Sequence, residues 1–344
     1  MNKKWINFTY LLSLCTLSLV LGCASRATLG TRDHIFSDKG KHIIWFQIEG
    51  LLSDHLPLIK YTSEKASESL AFEKMACSAN LWSHNLYELR PKPDLGFIGQ
   101  ILGSQNIKGN CTDIDREPVW KFFQEKGYEV AIMESSSMGK KSLSRYESCT
   151  EKVDLFEDAY VWKREKAPKK DVSFFHYLDS QAGLETPGVY YDKSCQERGC
   201  FVSLQVNVRS MWKHFKEKNA KTFTVIRDSS YADQINAGDI EGAMETLAQW
   251  NKYLSEVIEE ANGKSVTLLV TTSAGRVIEF PKKGRQWARF MKKGKGIVLK
   301  NQSLTADAWA YGPGAENFCG TYEEDQIFSK ILWAPEKRFI DELL

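Results

Sequence analysis

A layered α/β/α fold around a mostly parallel sheet, with a small loop-rich cap, is what this sequence predicts, and three observations carry the prediction. Five short runs are apolar at consecutive rather than alternate positions: 42–48 (HIIWFQI), 129–133 (EVAIM), 172–178 (VSFFHYL), 222–226 (TFTVI) and 266–271 (VTLLVT). Continuous apolar strands are the ones covered on both faces, as in a parallel sheet. Helical patterns at 118–126, 206–218 and 242–261 fall between them, and strand–helix alternation favours parallel crossovers. With 344 residues, 42% hydrophobic and 26% charged, the chain also has enough apolar material for one large packed domain.

The elements follow in order. Lys3 and Lys4 precede an uncharged apolar stretch that ends at Val20, Leu21, Gly22 and Cys23. A basic head, an apolar run and a small residue form a secretory signal over residues 1–22. A cysteine directly after the small residue resembles the lipobox of bacterial lipoproteins, which implies cleavage before Cys23 and diacylglyceryl attachment to its thiol. An ordinary cleaved signal or an uncleaved helix are the competing readings. A lipidated Cys23 holds the chain on a membrane surface without spanning it, and no later segment has the ~18 uncharged apolar residues of a spanning helix. Residues 23–40 are polar and predict a tether. A domain over residues 41–344 follows. Its helix at 118–126 places Val119, Phe122 and Phe123 on one face. Residues 134–170 and 180–205 interrupt the alternation and are expected to be loop or cap insertions.

The formal charge of +2 comes from 46 basic and 44 acidic residues, and two of the bases leave with residues 1–22. A balanced body argues against a nucleic-acid partner. Beyond Cys15 and Cys23, the cysteines are Cys77, Cys111, Cys149, Cys195, Cys200 and Cys319. An even set in an exported chain predicts three disulfides, with fifteen pairings open. Structural zinc is the competing reading, weakened by the lack of paired Cys-x2-Cys knuckles.

Six segments, in order, resemble the alkaline phosphatase superfamily, which includes sulfatases and nucleotide pyrophosphatases. They are 42–50 (HIIWFQIEG), 90–103 (RPKPDLGFIGQILG), 107–110 (IKGN), 117–131 (EPVWKFFQEKGYEVA), 266–276 (VTLLVTTSAGR) and 308–320 (AWAYGPGAENFCG). In that family the first ends in a metal-binding Asp, the second carries the Ser or Thr nucleophile, and the fifth ends in Asp-His. Here Glu49 takes the first position, 90–103 has no Ser, Thr or Cys, and Ala274 and Gly275 stand where Asp-His is expected. The family's later His falls near 301–305, and its central Asp-then-His near 179–184, and neither stretch holds a His. None of His34, His42, His55, His84, His176 and His214 lies at a position that the family uses.

A replacement site is best sought at 227–234 (RDSSYADQ), because ligands gather at strand ends in α/β sheets. Asp228 and Asp233 are candidate oxygen ligands for a hard cation, or Asp228 simply caps the loop. Glu49, buried, needs a cationic partner, and Arg227 or Arg276 are the candidates. Two guanidiniums in the old metal space would also bind an anion. The leading reading is a non-catalytic lipoprotein of the bacterial envelope, on the periplasmic face and at the outer rather than the inner membrane. It acts as a binding or scaffolding module for a protein or glycan partner, with no metal or cofactor expected. The alternative is a divergent hydrolase of phosphate or sulfate esters, using a divalent metal around Glu49, Asp228 and Asp233.

Overall fold

The computed structural model describes residues 40–61, 70–135, 141–149, 153–168, 172–176, 184–196, 199–261, 265–293 and 296–332. The signal at 1–22, Cys23 and the tether up to residue 39 lie outside the described residues. Fourteen strands run in chain order: β1 (His42–Ile48), β2 (Cys77–Trp82), β3 (Tyr128–Glu134), β4 (Ala159–Lys163), β5 (Ser173–Phe175), β6 (Gly188–Asp192), β7 (Cys195–Gln196), β8 (Gly199–Cys200), β9 (Lys221–Asp228), β10 (Val266–Thr271), β11 (Arg276–Glu279), β12 (Val298–Gln302), β13 (Thr305–Tyr311) and β14 (Gly320–Glu323). Helices α1 (Pro57–Lys60), α2 (Ala71–Lys74), α3 (Pro93–Leu102), α4 (Val119–Gln124), α5 (Leu204–Glu217), α6 (Ser230–Ala237), α7 (Ile240–Ala261), α8 (Gly284–Lys293) and α9 (Ile327–Leu332) separate them.

Ten strands form one sheet in the order β14-β2-β13-β10-β1-β9-β3-β4-β6-β5. Only β13 runs against the rest, pairing antiparallel with β10 and β2. The centre is β1, with His42 opposite Val266 of β10 and Thr222 of β9. Every residue of β1 is buried because its pleat feeds two cores. Ile44, Phe46 and Ile48 pack with Val208, Phe215, Leu247, Trp250 and Leu254 of α5 and α7 on one face. Ile43 and Trp45 pack with Ile98, Ile101, Trp120, Phe123 and Ile331 of α3, α4 and α9 on the other. Helices on both faces of a parallel sheet make the layered α/β/α architecture that the continuous apolar runs imply.

The two segments expected to be insertions depart from expectation. Residues 134–170 supply β4, and 180–205 supply β6, so both extend the main sheet. Tyr160, Val161, Trp162 and Tyr190 are buried there, which the flanking lysines and glycines conceal in sequence. Within these two segments, the β7–β8 hairpin stands apart from the main sheet as a small loop-rich feature. Of the expected strand at 172–178, residues 177 and 178 lie outside the described residues, and Ser173–Phe175 form a strand at the sheet edge.

All six cysteines pair: Cys77 with Cys319, Cys111 with Cys149, and Cys195 with Cys200, at Cα separations of 4.9, 5.5 and 3.8 Å. The first ties β2 to the turn before β14, and the third closes the β7–β8 hairpin. Among the described residues, the one group close enough to hold a metal is Asp192 with Cys195 and Cys200, whose sulfurs are already joined.

Candidate functional site

Parallel strands deliver their carboxyl ends to one rim of the sheet, and there the chain encloses a cavity of about 800 Å³. Glu49, one residue beyond β1, forms part of its floor, and Ala274 beyond β10 forms another part. Helix α3 points its first turn, Pro93 and Asp94, at the same space. The remaining wall comes from Lys141 and Arg145 after β3, and from Arg276, Lys300, Asn301 and Gln302 of the β11–β12 hairpin. Six cationic side chains (Arg90, Lys92, Lys141, Arg145, Arg276 and Lys300) face two carboxylates, Glu49 and Asp94. Such an excess of guanidinium and ammonium donors suits an anion.

The segment carrying Lys141 and Arg145 is fixed from below. Glu134, at the end of β3, accepts from the Leu143 backbone N–H at 3.0 Å and from the Ser142 hydroxyl. Cys149 ties the far end of the segment to Cys111. Lys141 Nζ then donates to Glu49 Oε1 at 2.7 Å and lies 3.4 Å from Asp233 Oδ1. Arg145 Nη1 donates to Asp94 Oδ2 at 2.7 Å, and its Nη2 donates to the Tyr146 hydroxyl at 2.8 Å. Burial raises the Glu49 carboxyl above its ordinary value, against the pull of Lys141. Burial works against the Lys141 ammonium, but the Glu49 carboxylate beside it holds its pKa up. Glu49 Oε2 is buried and accepts no hydrogen bond from the described residues.

The residues singled out from sequence do not converge as expected. Glu49 does line the cavity, but its partner is Lys141, not Arg227 or Arg276. Arg227 is fully buried under the site, where Nε donates to Gln47 Oε1 at 3.0 Å and Nη1 pairs with Glu134. It lies on β9, and a long side chain there reaches sideways into the sheet rather than up into the cavity. Asp228 is likewise buried, accepting from Trp250 Nε1 at 2.6 Å and from the Ser230 N–H at 2.9 Å. It anchors α7 and α6 rather than offering a free ligand oxygen. Asp233, on α6, does approach the site, through Lys141. Arg276 lines the cavity, its Nε donating to the Lys300 carbonyl at 3.1 Å. Sequence reasoning missed Lys141, Arg145 and Lys92, the first two because they sit in a segment assigned to an insertion. The basic cluster 140–145 (KKSLSR) was the available signal.

A family metal does not fit these residues. Glu49 and Asp233 already share an ammonium, and Asp94 holds a guanidinium. Ala274 and Gly275 carry no donor, and a Cβ on Gly275 would lie 2.6 Å from the Gly50 carbonyl oxygen, so backbone bars a His there. His55 is buried, with Nε2 donating to the Arg276 carbonyl at 2.8 Å and Nδ1 bonded to the Tyr231 hydroxyl at 2.9 Å. Helix α3 brings no hydroxyl or thiol to the cavity, and Ser273 is buried beneath it against Gly96.

No protein-family model matches the chain, and no curated protein does. Solved structures do. The alkaline phosphatase of the Antarctic bacterium TAB5 superposes with a TM-score of 0.63 at 14% identity, covering 86% of this chain and 98% of that one. The Thermus thermophilus alkaline phosphatase gives 0.66 at 9% identity, over 90% and 94%. The lipoteichoic acid synthase LtaP of Listeria monocytogenes gives 0.51 at 10%, over 86% and 71%. A variant of the TAB5 enzyme was solved with magnesium bound. At these identities the likeness speaks for architecture, and the chain has the alkaline phosphatase fold.

Proposed function

We propose that this chain is a non-catalytic anion receptor built on a phosphatase fold and displayed in the bacterial envelope by a lipid on Cys23. One observation carries the reading: Lys141 and Arg145, held by Glu49, Asp233 and Asp94, are two fixed cations lining the cavity at the carboxyl rim of the sheet. Side-chain cations bind phosphate or sulfate through charge-assisted hydrogen bonds but do not generate a nucleophile. The first turn of α3 offers a bound anion no hydroxyl to attack it. Any partner that bears such anions fits this reading, a protein or glycan among them. No helix among the described residues is long and apolar enough to cross a membrane.

Calorimetry on chelator-treated protein tests this. Phosphate or sulfate should bind without added metal, Arg276→Ala and Lys92→Ala should each weaken binding about tenfold, and ester hydrolysis should stay at background. The partnerless Oε2 of Glu49, close to Asp233, favours one second reading, a divergent ester hydrolase that recruits a divalent metal. Metal-dependent turnover abolished by Glu49→Ala would establish that alternative and sink the receptor.

A further inference from the structure

Chain and cavity meet at the loop from Ser83 to Lys92, which leads from β2 into α3. The loop is tightly ordered. Asn85 Oδ1 accepts from the Tyr87 and Glu88 N–H groups at 2.8 Å each, and the Leu86 N–H donates to the Gln105 carbonyl at 3.0 Å. The Tyr87 hydroxyl bonds Asn106, and Lys108 Nζ stands 5.1 Å over the Tyr87 ring. Despite this order, Leu86 and Leu89 are 67% and 77% exposed, the highest values among large apolar side chains of the described residues. Arg90 and Lys92 follow immediately, line the cavity, and make no ion pair among the described residues. From Leu86 to Arg90 the chain spans at most about 14 Å. Two exposed leucines thus precede two cavity-lining cations in one loop.

We propose that the ligand is an anionic lipid, its phosphate headgroup in the cavity and its acyl chain on Leu86 and Leu89. Charge complementarity selects this occupant: a wholly apolar partner would leave Arg90 and Lys92 desolvated and unpaired, and a small anion would leave the leucines in water. The proposal rests on the anion-receptor reading and specifies its ligand.

Calorimetry on the full chain carrying Cys23→Ser tests it with three probes: inorganic phosphate, dioctanoyl phosphatidic acid below its micelle-forming concentration, and dioctanoyl phosphatidylcholine. The phosphatidic acid should bind at least tenfold more tightly than phosphate, and the phosphatidylcholine should not compete with it. Leu86→Ser with Leu89→Ser should abolish that advantage and leave phosphate affinity unchanged, whereas Lys92→Ala should weaken both. Leu89→Ser alone repeats the comparison should the double variant lose its far-ultraviolet circular dichroism. Equal affinity for phosphate and phosphatidic acid, an advantage that survives the leucine changes, or tight binding of the phosphatidylcholine would each overturn the lipid ligand while leaving the receptor intact. Failure of both anionic probes to bind would overturn both.

Discussion

Buried charge in this chain is handled residue by residue, and Glu324 is the clearest case. It is enclosed beneath α3, with Gln100 Nε2 donating to Oε1 at 2.7 Å and the Ser83 and Ser273 hydroxyls against it. No cation joins it, so burial pushes its carboxyl from 4.5 up to about 7. Between those values the unfolded chain has released the proton and the folded chain retains it. Stability contributed by this group is therefore full below about pH 4.5, falls as pH rises to about 7, and is constant beyond. The loss amounts to roughly 3 kcal/mol. Glu324→Gln keeps the shape and removes the titration, so the difference in urea stability between wild type and variant should shift by that amount across the window. A difference that does not vary with pH would contradict the assignment. Glu49 contrasts with it, because Lys141 stands within hydrogen-bond distance.

Between elements, one close approach at the site is where the chain leaving β10 crosses the chain leaving β1. Gly275 permits it: a Cβ would sit 2.6 Å from the Gly50 oxygen and 2.7 Å from Leu52 Cγ. Gly275→Ala should destabilise by about 1–3 kcal/mol, the usual range for overpacking, and should loosen the β11–β12 hairpin that carries Arg276. Chemical denaturation checks the first effect and phosphate affinity the second. An unaltered midpoint would mean that the two ends move apart freely. Helix α3 is packed as closely, since Gly96 meets Ser273 and Glu324 without room for a side chain. These small residues let backbone segments and buried side chains pack closely beneath the cavity.

At the scale of the molecule, one sheet with two helical layers brings the carboxyl ends of its nine mutually parallel strands to one rim, and three disulfides cross-link the chain. Attachment to a membrane belongs to this scale too. Cys23→Ser should move the protein out of the membrane fraction or stall its processing, as fractionation and mass of the mature chain would reveal; a variant that partitions and matures like the wild type would refute the anchor. Sequence alone determined the layered α/β/α class, because strands covered on both faces must be continuously apolar, and that pattern is local. It likewise singled out Glu49, which lines the cavity, whereas the absence of a nucleophile and an Asp-His pair is what the resemblance implies. Strands β2, β13 and β14 escaped it: β2 alternates buried and exposed residues and has little β-branched content, so its local pattern is weak. The cavity's charge was decided only by tertiary structure. Lys141 and Glu49 are 92 positions apart, and a lysine's chain neighbours do not reveal which distant carboxylate will hold it. Arg227 makes the converse point, for its strand-end position suggested a partner for Glu49, and only tertiary packing gave it Gln47 and Glu134 instead.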